Sequence, residues 1–403
     1  MSGSWNCLSF TRYQWFDLEG VYISIFIPMS VPDNSPAPGT IPDITSLLSV
    51  IRELVGEVHP HWKNLHFSPD THLEKELGLD SMARLELCTR VESALGVKLD
   101  ENAVAGATTP NKLLQVMLDK HLGETNDFDT AGDRSGPDEV LMGSFGQAEE
   151  TDDAASHRGL GEWLYALYCW SVFITVGLLT WVVVVLAPFE SWRRKLARLC
   201  GRLFFFMTFT PFQVSGQEHL VHDRACIIVA NHASYLDGII ITAALDTPLH
   251  FIAKGELARV MPLRMLLQRF GVEFVDRFNG HRGASDVRRI TRKAQDGQTI
   301  VFFPEGTFTT FPGLQPFRMG AFVTASRASI PVIPVAISGA REIVRGSNWF
   351  PHRGRISVTI RPPITPSGEG WQVALNLRNA ARTEIARYCG EPDLVEGEQL
   401  EDT

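Results

Sequence analysis

The 403-residue sequence predicts three parts in series: a small helical bundle, a membrane-embedded segment and an α/β domain. Apolar residues recur at helical spacing between 43 and 122. An uncharged run extends from Trp163 to Pro188, and after Phe212 short β-branched or aromatic runs alternate with helical stretches. The length exceeds one ordinary domain and suffices for two cores.

Residues 1–41 contain the apolar run Val21 to Met29 and a Pro/Ser-rich stretch from Ser30 to Pro42. No periodicity is sustained there, and the basic start and small-residue cleavage site of a secretory signal are missing. A disordered extension is expected, with Met29 as a candidate translation start.

The bundle is placed at 42–122. Ile44, Leu47, Leu48, Ile51, Leu54 and Val55 mark its first helix; Met82, Leu85, Cys88, Val91 and Leu95 mark a second, and a third follows Pro110. Residues 123–159 hold ten acidic and two basic side chains, too little apolar surface to offset the entropy of ordering, and predict a flexible acidic linker. As a flexible coil its 37 residues would span roughly 30 to 35 Å.

The segment 160–212 follows. Trp163 to Pro188 has no charge between Glu162 and Glu190 and is long enough to cross a hydrocarbon core. Arg193, Arg194, Lys195, Arg198 and Arg202 come next, which predicts that the carboxyl side faces the cytoplasm. The α/β domain is placed at 213–390, with strands at Cys226–Ala230, His250–Ala253, Thr299–Phe303, Val332–Ile337 and Ile356–Ile360, and an acidic tail at 391–403.

The net charge of −9 hides a division, because 160–390 carries about +11. Its arginines are interleaved with apolar runs, which favours a membrane surface over nucleic acid. Six cysteines lie far apart without a CxxC pair, which argues against a disulfide framework and a zinc site, so no metal is expected.

Leu77-Gly78-Leu79-Asp80-Ser81-Met82 sets a serine at a helix start after a glycine-containing loop. Asp and Ser there also suit a plain helix N-cap. The motif and the bundle around it resemble acyl and peptidyl carrier proteins over 43–122. That resemblance implies a four-helix carrier bundle with 4'-phosphopantetheine on Ser81, attached by a separate phosphopantetheinyl transferase. Glu86 and Glu92 would offer acidic charge to a partner, diluted by Arg84 and Arg90.

Asn231-His232-Ala233-Ser234-Tyr235-Leu236-Asp237-Gly238 follows directly on an apolar strand. His232 and Asp237 can meet if the histidine sits in the strand-to-helix turn and the aspartate in the first helical turn. The imidazole then takes a proton from an alcohol, and the carboxylate fixes its tautomer. Alone, the pair also fits a packed histidine. Ser234 lacks a nucleophile-elbow context.

Three further segments accompany it: Lys254-Gly255-Glu256-Leu257 leading to Gly271-Val272-Glu273-Phe274-Val275-Asp276-Arg277; Phe303-Pro304-Glu305-Gly306-Thr307; and Ile330-Pro331-Val332-Ile333-Pro334-Val335. In order and approximate spacing the four blocks resemble the lysophosphatidate and glycerol-3-phosphate acyltransferase family over 205 to about 365. The resemblance implies His232 as general base, Asp237 as its orienter, and Arg277, Glu305, Gly306 and Thr307 as the acceptor site. It also implies that the last block lines the acyl pocket. Taken as residues, Arg277 also fits a surface ion pair with Asp276 or Glu273, and Pro331 and Pro334 fit an edge strand. Many members of that family have a basic residue soon after Glu-Gly-Thr. This chain has Phe308-Thr309-Thr310, which leaves Arg318 as the candidate anion ligand.

Carrier and dyad must share one side of the membrane, so 160–212 is expected to enter it as a monotopic helical hairpin, as in that family's two-helix motif. The combined expectation is an O-acyltransferase at the cytoplasmic face of a membrane, active in phospholipid synthesis or remodelling. It would move an acyl group from its own carrier, acyl carrier protein or acyl-CoA to a lysophospholipid. A fatty acid synthase or an acyl-carrier synthetase would load it. The competing expectation is a membrane-tethered carrier serving a separate synthase, and a thioesterase is a third.

Overall fold

The computed structural model describes strands within residues 8–25, and then residues 43–62, 65–95, 99, 106–123, 159–275, 280–307, 312–344 and 350–394. The expected linker lies outside the described residues. At the N-terminus, β1 (Leu8–Phe10), β2 (Tyr13–Leu18) and β3 (Val21–Ile25) form an antiparallel meander, which corrects the expectation of disorder there. The strand runs are rich in β-branched and aromatic residues, a pattern that a search for helical periods passes over.

The carrier region contains α1 (Ile44–Val58), α2 (Ser81–Leu95) and α3 (Pro110–Gly123). Leu47, Ile51 and Leu54 of α1 pack with Ala83, Leu87 and Val91 of α2 and with Leu113 and Met117 of α3. The expected fourth helix would fall between α2 and α3, where 96–98 and 100–105 lie outside the described residues. The loop before α2 depends on Gly78, whose φ of +61° and position 2.6 Å from His59 Nε2, measured from an added Cβ, leave no room for a side chain. The acidic partner face expected at Glu86 and Glu92 is corrected. Glu86 pairs with Arg90, Glu92 accepts the Leu99 N–H, and Arg84 is buried with Nη2 donating to Ala107 O.

Two helices, α4 (Leu160–Leu186) and α5 (Glu190–Met207), form a hairpin whose far ends are tied by Tyr165 and Tyr168, donating to Thr208 O and Met207 O. α4, of mean hydropathy 2.3, is the one helix long and apolar enough to cross a membrane among the described residues. Large apolar side chains such as Trp163, Leu167, Ile174 and Leu178 are exposed along it. Part of the basic run has a structural task. Arg198 and Arg202 donate to the carbonyls of Ala243 and Ala244 at the C-terminus of α6 (Asp237–Ala244), where cations oppose the helix dipole.

The α/β domain is built on a seven-stranded sheet. Its strands are β4 (Phe212–Ser215), β5 (Ile227–Ala230), β6 (His250–Lys254), β7 (Glu273–Val275), β8 (Ile300–Phe302), β9 (Val332–Ser338) and β10 (Ile356–Ile360). They lie in the order β4-β10-β9-β5-β8-β6-β7. Five strands from β9 to β7 are parallel, and β10 reverses against β9. All five expected strands form. β9 is central, which corrects the edge-strand reading of Pro334: its carbonyl accepts the Arg361 N–H, so its missing N–H falls on the β10 side, just beyond the last paired residues Val335 and Ile360.

The central strand β5 is buried on both faces, as parallel sheets require. Helices α7 (Met261–Arg269), α8 (Gly280–Gln295), α9 (Gly320–Ala328), α10 (Ala340–Ile343) and α11 (Trp371–Cys389) follow α6 in the chain. Ile227 and Val229 face a core with Phe322 of α9 and Leu375 of α11, while Ile228 and Ala230 face α5 and α6. The domain boundary expected at 390 moves outward. Glu391 accepts the Gly313 N–H and pairs with Arg341, and Asp393 pairs with Arg382. These acids are therefore anchored into the domain rather than part of a tail.

Candidate active site

The dyad sits at the carboxyl end of β5, where open α/β sheets place their sites. Asn231 is clamped to β9 from both ends, Nδ2 to Ile337 O at 2.9 Å and Ile337 N to Oδ1 at 2.7 Å. This fixes the turn in which His232 stands. Asp237 opens α6, is fully buried, and its Oδ2 lies 2.8 Å from His232 Nδ1. The same oxygen accepts the Ala233 and Ser234 N–H groups at 2.7 and 2.9 Å, so the carboxylate is held by backbone as well as by imidazole. With Nδ1–H directed at Asp237, the imidazole lone pair lies on Nε2, and the side chain is 22% exposed. Ser234 is buried and donates to Val344 O, a structural use of its hydroxyl.

Glu305 does not face an open acceptor site. It is buried, with Oε1 accepting the His232 N–H at 2.6 Å and Oε2 accepting the Gln315 N–H at 2.8 Å. Burial pushes its carboxyl up to about 7, opposed by those two hydrogen bonds. It supports the backbone of His232. The neighbouring Phe303 ring stacks on His232, centroids 4.6 Å apart and planes at 28°. Gly306 has φ +78°, Thr307 is exposed, and Arg277 lies outside the described residues.

Ser81 is brought to the same region. Asp80 caps α2 through Oδ1, which accepts the Met82 and Ala83 N–H groups, while its Oδ2 accepts the Met319 N–H at 2.7 Å, at the N-terminus of α9. One carboxylate thus caps a helix in each domain. Met82, which the sequence pattern assigns to the bundle, packs instead into the α/β core, with Leu85 beside it, and Trp371 touches both cores. Arg378, buried and held down to about 10 by desolvation, donates to Val58 O. Ser81, Gly306, Arg318 and Phe303 all line one groove of about 140 Å³ between the domains. A half-buried serine at a helix start, opening on a groove with an apolar floor and one cation, fits a phosphopantetheine arm.

The phosphopantetheine attachment site family matches residues 48–117, and the acyltransferase family matches residues 211–338. The chain joins a phosphopantetheine-attachment domain to an acyltransferase domain. Among curated proteins it is similar to the chloroplastic 1-acyl-sn-glycerol-3-phosphate acyltransferase BAT2 of Brassica napus, at 29% identity over 44% of this chain and 52% of that one. It is likewise similar to chloroplastic LPAT1 of Arabidopsis thaliana, at 29% over 49% of this chain and 55% of that one, and to the human beta enzyme, at 29% over 41% and 60%. The chain spans about half the length of the curated relatives it matches. In the acyltransferase domain, His232, Asp237 and Glu305 stand together; in the carrier domain, Ser81 opens on a groove whose Phe303 wall stacks on His232. Asp80, Met82, Phe303 and Trp371 are the participants that sequence reasoning missed. Only Asp80, a residue expected at a cap, left a signal.

Proposed function

We propose that this chain is a membrane-associated O-acyltransferase that moves a fatty acyl group from its own carrier domain to the hydroxyl of a lysophospholipid. The observation that carries the reading is the shared groove: Ser81 opens on it, and its Phe303 wall stacks against the base of the dyad. The relatives' shared name supports 1-acyl-sn-glycerol-3-phosphate as acceptor, and the exposed apolar face of α4 supports a hairpin seated in the cytoplasmic side of a membrane.

When bound to Ser81, the arm supplies the acyl group as a thioester. His232 Nε2 takes the proton of the acceptor hydroxyl as its oxygen bonds to the acyl carbon. Asp237 stabilises the imidazolium that results, and the same proton passes to sulfur as the carbon–sulfur bond breaks. The products are an ester and a free thiol, and His232 ends neutral. Glu305 keeps the turn in register, and Thr307 with Arg277 forms the acceptor anchor.

The test is a single-turnover assay in micelles with labelled acyl on Ser81 and a panel of lysolipids. Label moving to one lysolipid in wild type and remaining on protein in His232→Ala is expected. Label that leaves as free acid, or stays on Ser81 with every lysolipid, contradicts the reading.

A further inference from the structure

The charged and apolar side chains of the interdomain groove determine what it can hold. Its charged lining among the described residues is Asp80, Asp286 and Arg318. Asp80 is already engaged by the Met82, Ala83 and Met319 N–H groups, and Asp286 is paired with Arg289 at 2.8 Å. The Arg318 guanidinium makes no ion pair among the described residues, although its backbone N–H is anchored to Pro304 O at 2.9 Å. It lies across Gly306, where an added Cβ would come within 2.8 Å of Nε, so the glycine makes room for it. The remaining surface is largely apolar, with Val275, Val287 and Phe303 among its walls.

We propose that this groove is the seat of the prosthetic arm, with Arg318 as ligand of its phosphodiester and Phe303 as the wall that turns its thiol end toward His232. The proposal rests on Ser81 carrying the arm and on transfer within the chain. A monoanionic phosphodiester next to Ser81 would otherwise face two carboxylates, and Arg318 is the cation that offsets them. The apolar walls suit the methylene and dimethyl parts of the arm. Arg318 then serves the donor, and the acceptor's anion is left to other groups. Groove and docking also act together: the Asp80 cap on α9 holds Ser81 at the mouth, so the arm enters in one direction.

The experiment reads the arm itself. The full-length holo chain in micelles, with an unacylated arm, is treated with iodoacetamide, and alkylation of the arm is followed by mass spectrometry of the Ser81 peptide. Leu85→Glu, which sets a charge in the docking face, is the reference for an exposed arm. Wild type should react more slowly than this reference. Arg318→Ala should react about 10-fold faster than wild type, the loss of one charge-assisted hydrogen bond, with Arg318→Lys between them. Wild type reacting as fast as Leu85→Glu overturns the seat, and Arg318→Ala matching a protected wild type overturns the ligand. Label transfer measured on the same wild-type preparation after its arm is acylated separates the two ideas. Transfer with an exposed arm removes this inference alone, whereas a protected arm without His232-dependent transfer removes the proposed function alone.

Discussion

The turn carrying the dyad and the surface carrying Ser81 are both organised by an aspartate at the start of a helix, yet they are built to different degrees of permanence. Asp237 is fully buried, and one of its oxygens gathers two backbone N–H groups and the imidazole, with Asn231 clamping the same turn to β9. Asp80 gives one oxygen to its own helix and one to the other domain, and among the described residues Arg378 crosses the junction with it. The first arrangement holds His232 and Asp237 in fixed geometry, as the proposed proton transfer needs. The second is a docking contact, and the proposed delivery requires it to open so that Ser81 can meet a loading enzyme and return.

Breaking the rigid side should have the largest effect. Asp237→Asn keeps the shape but favours the wrong imidazole tautomer, and turnover should fall roughly 10⁴-fold in a steady-state assay. Next comes Glu305. Its carboxyl is raised to about 7 from an ordinary 4.5, so the folded chain holds a proton that the unfolded chain has released. This contribution is complete below about 4.5 and is lost as pH rises through about 7, amounting to roughly 3 kcal/mol. Melting temperatures of wild type and Glu305→Gln between pH 5 and 8 should show wild type losing ground as pH rises; the reverse trend would contradict the assignment.

The docking side should respond more mildly. Asp80→Ala leaves the Met319 N–H without its acceptor, and the ratio of transfer from Ser81 to transfer from added acyl-CoA should fall about 10-fold. The smallest effect is expected from Gly306→Ala. A side chain at φ +78° is strained and displaces Arg318, costing about 1 kcal/mol in a denaturant titration.

The same contrast explains what could be read from residue order. His232 and Asp237 were legible because their meeting depends on a five-residue spacing across one strand-to-helix turn, and the five strand runs were legible from β-branched clusters. Docking was not, because Asp80 is fully accounted for as a cap on its own helix, and Met82 fits the apolar period of α2. Only the fold shows that Met82 enters the other core. Sequence points to Glu305 as part of the site but not to its orientation, since the backbone N–H groups of His232 and Gln315 that claim it leave no trace in residue order. Likewise, nothing in an acidic C-terminal run distinguishes Glu391 and Asp393, pinned by Arg341 and Arg382, from residues of a solvated tail.

Delivery within one chain can be read from the single-turnover rate of label leaving Ser81 as the protein is diluted at constant detergent and acceptor concentration. Transfer between tethered domains predicts one rate constant across the dilution series. It also predicts little rescue when loaded His232→Ala protein is mixed with unloaded Ser81→Ala protein. A rate that falls in proportion to protein concentration, with full rescue in the mixture, would contradict it.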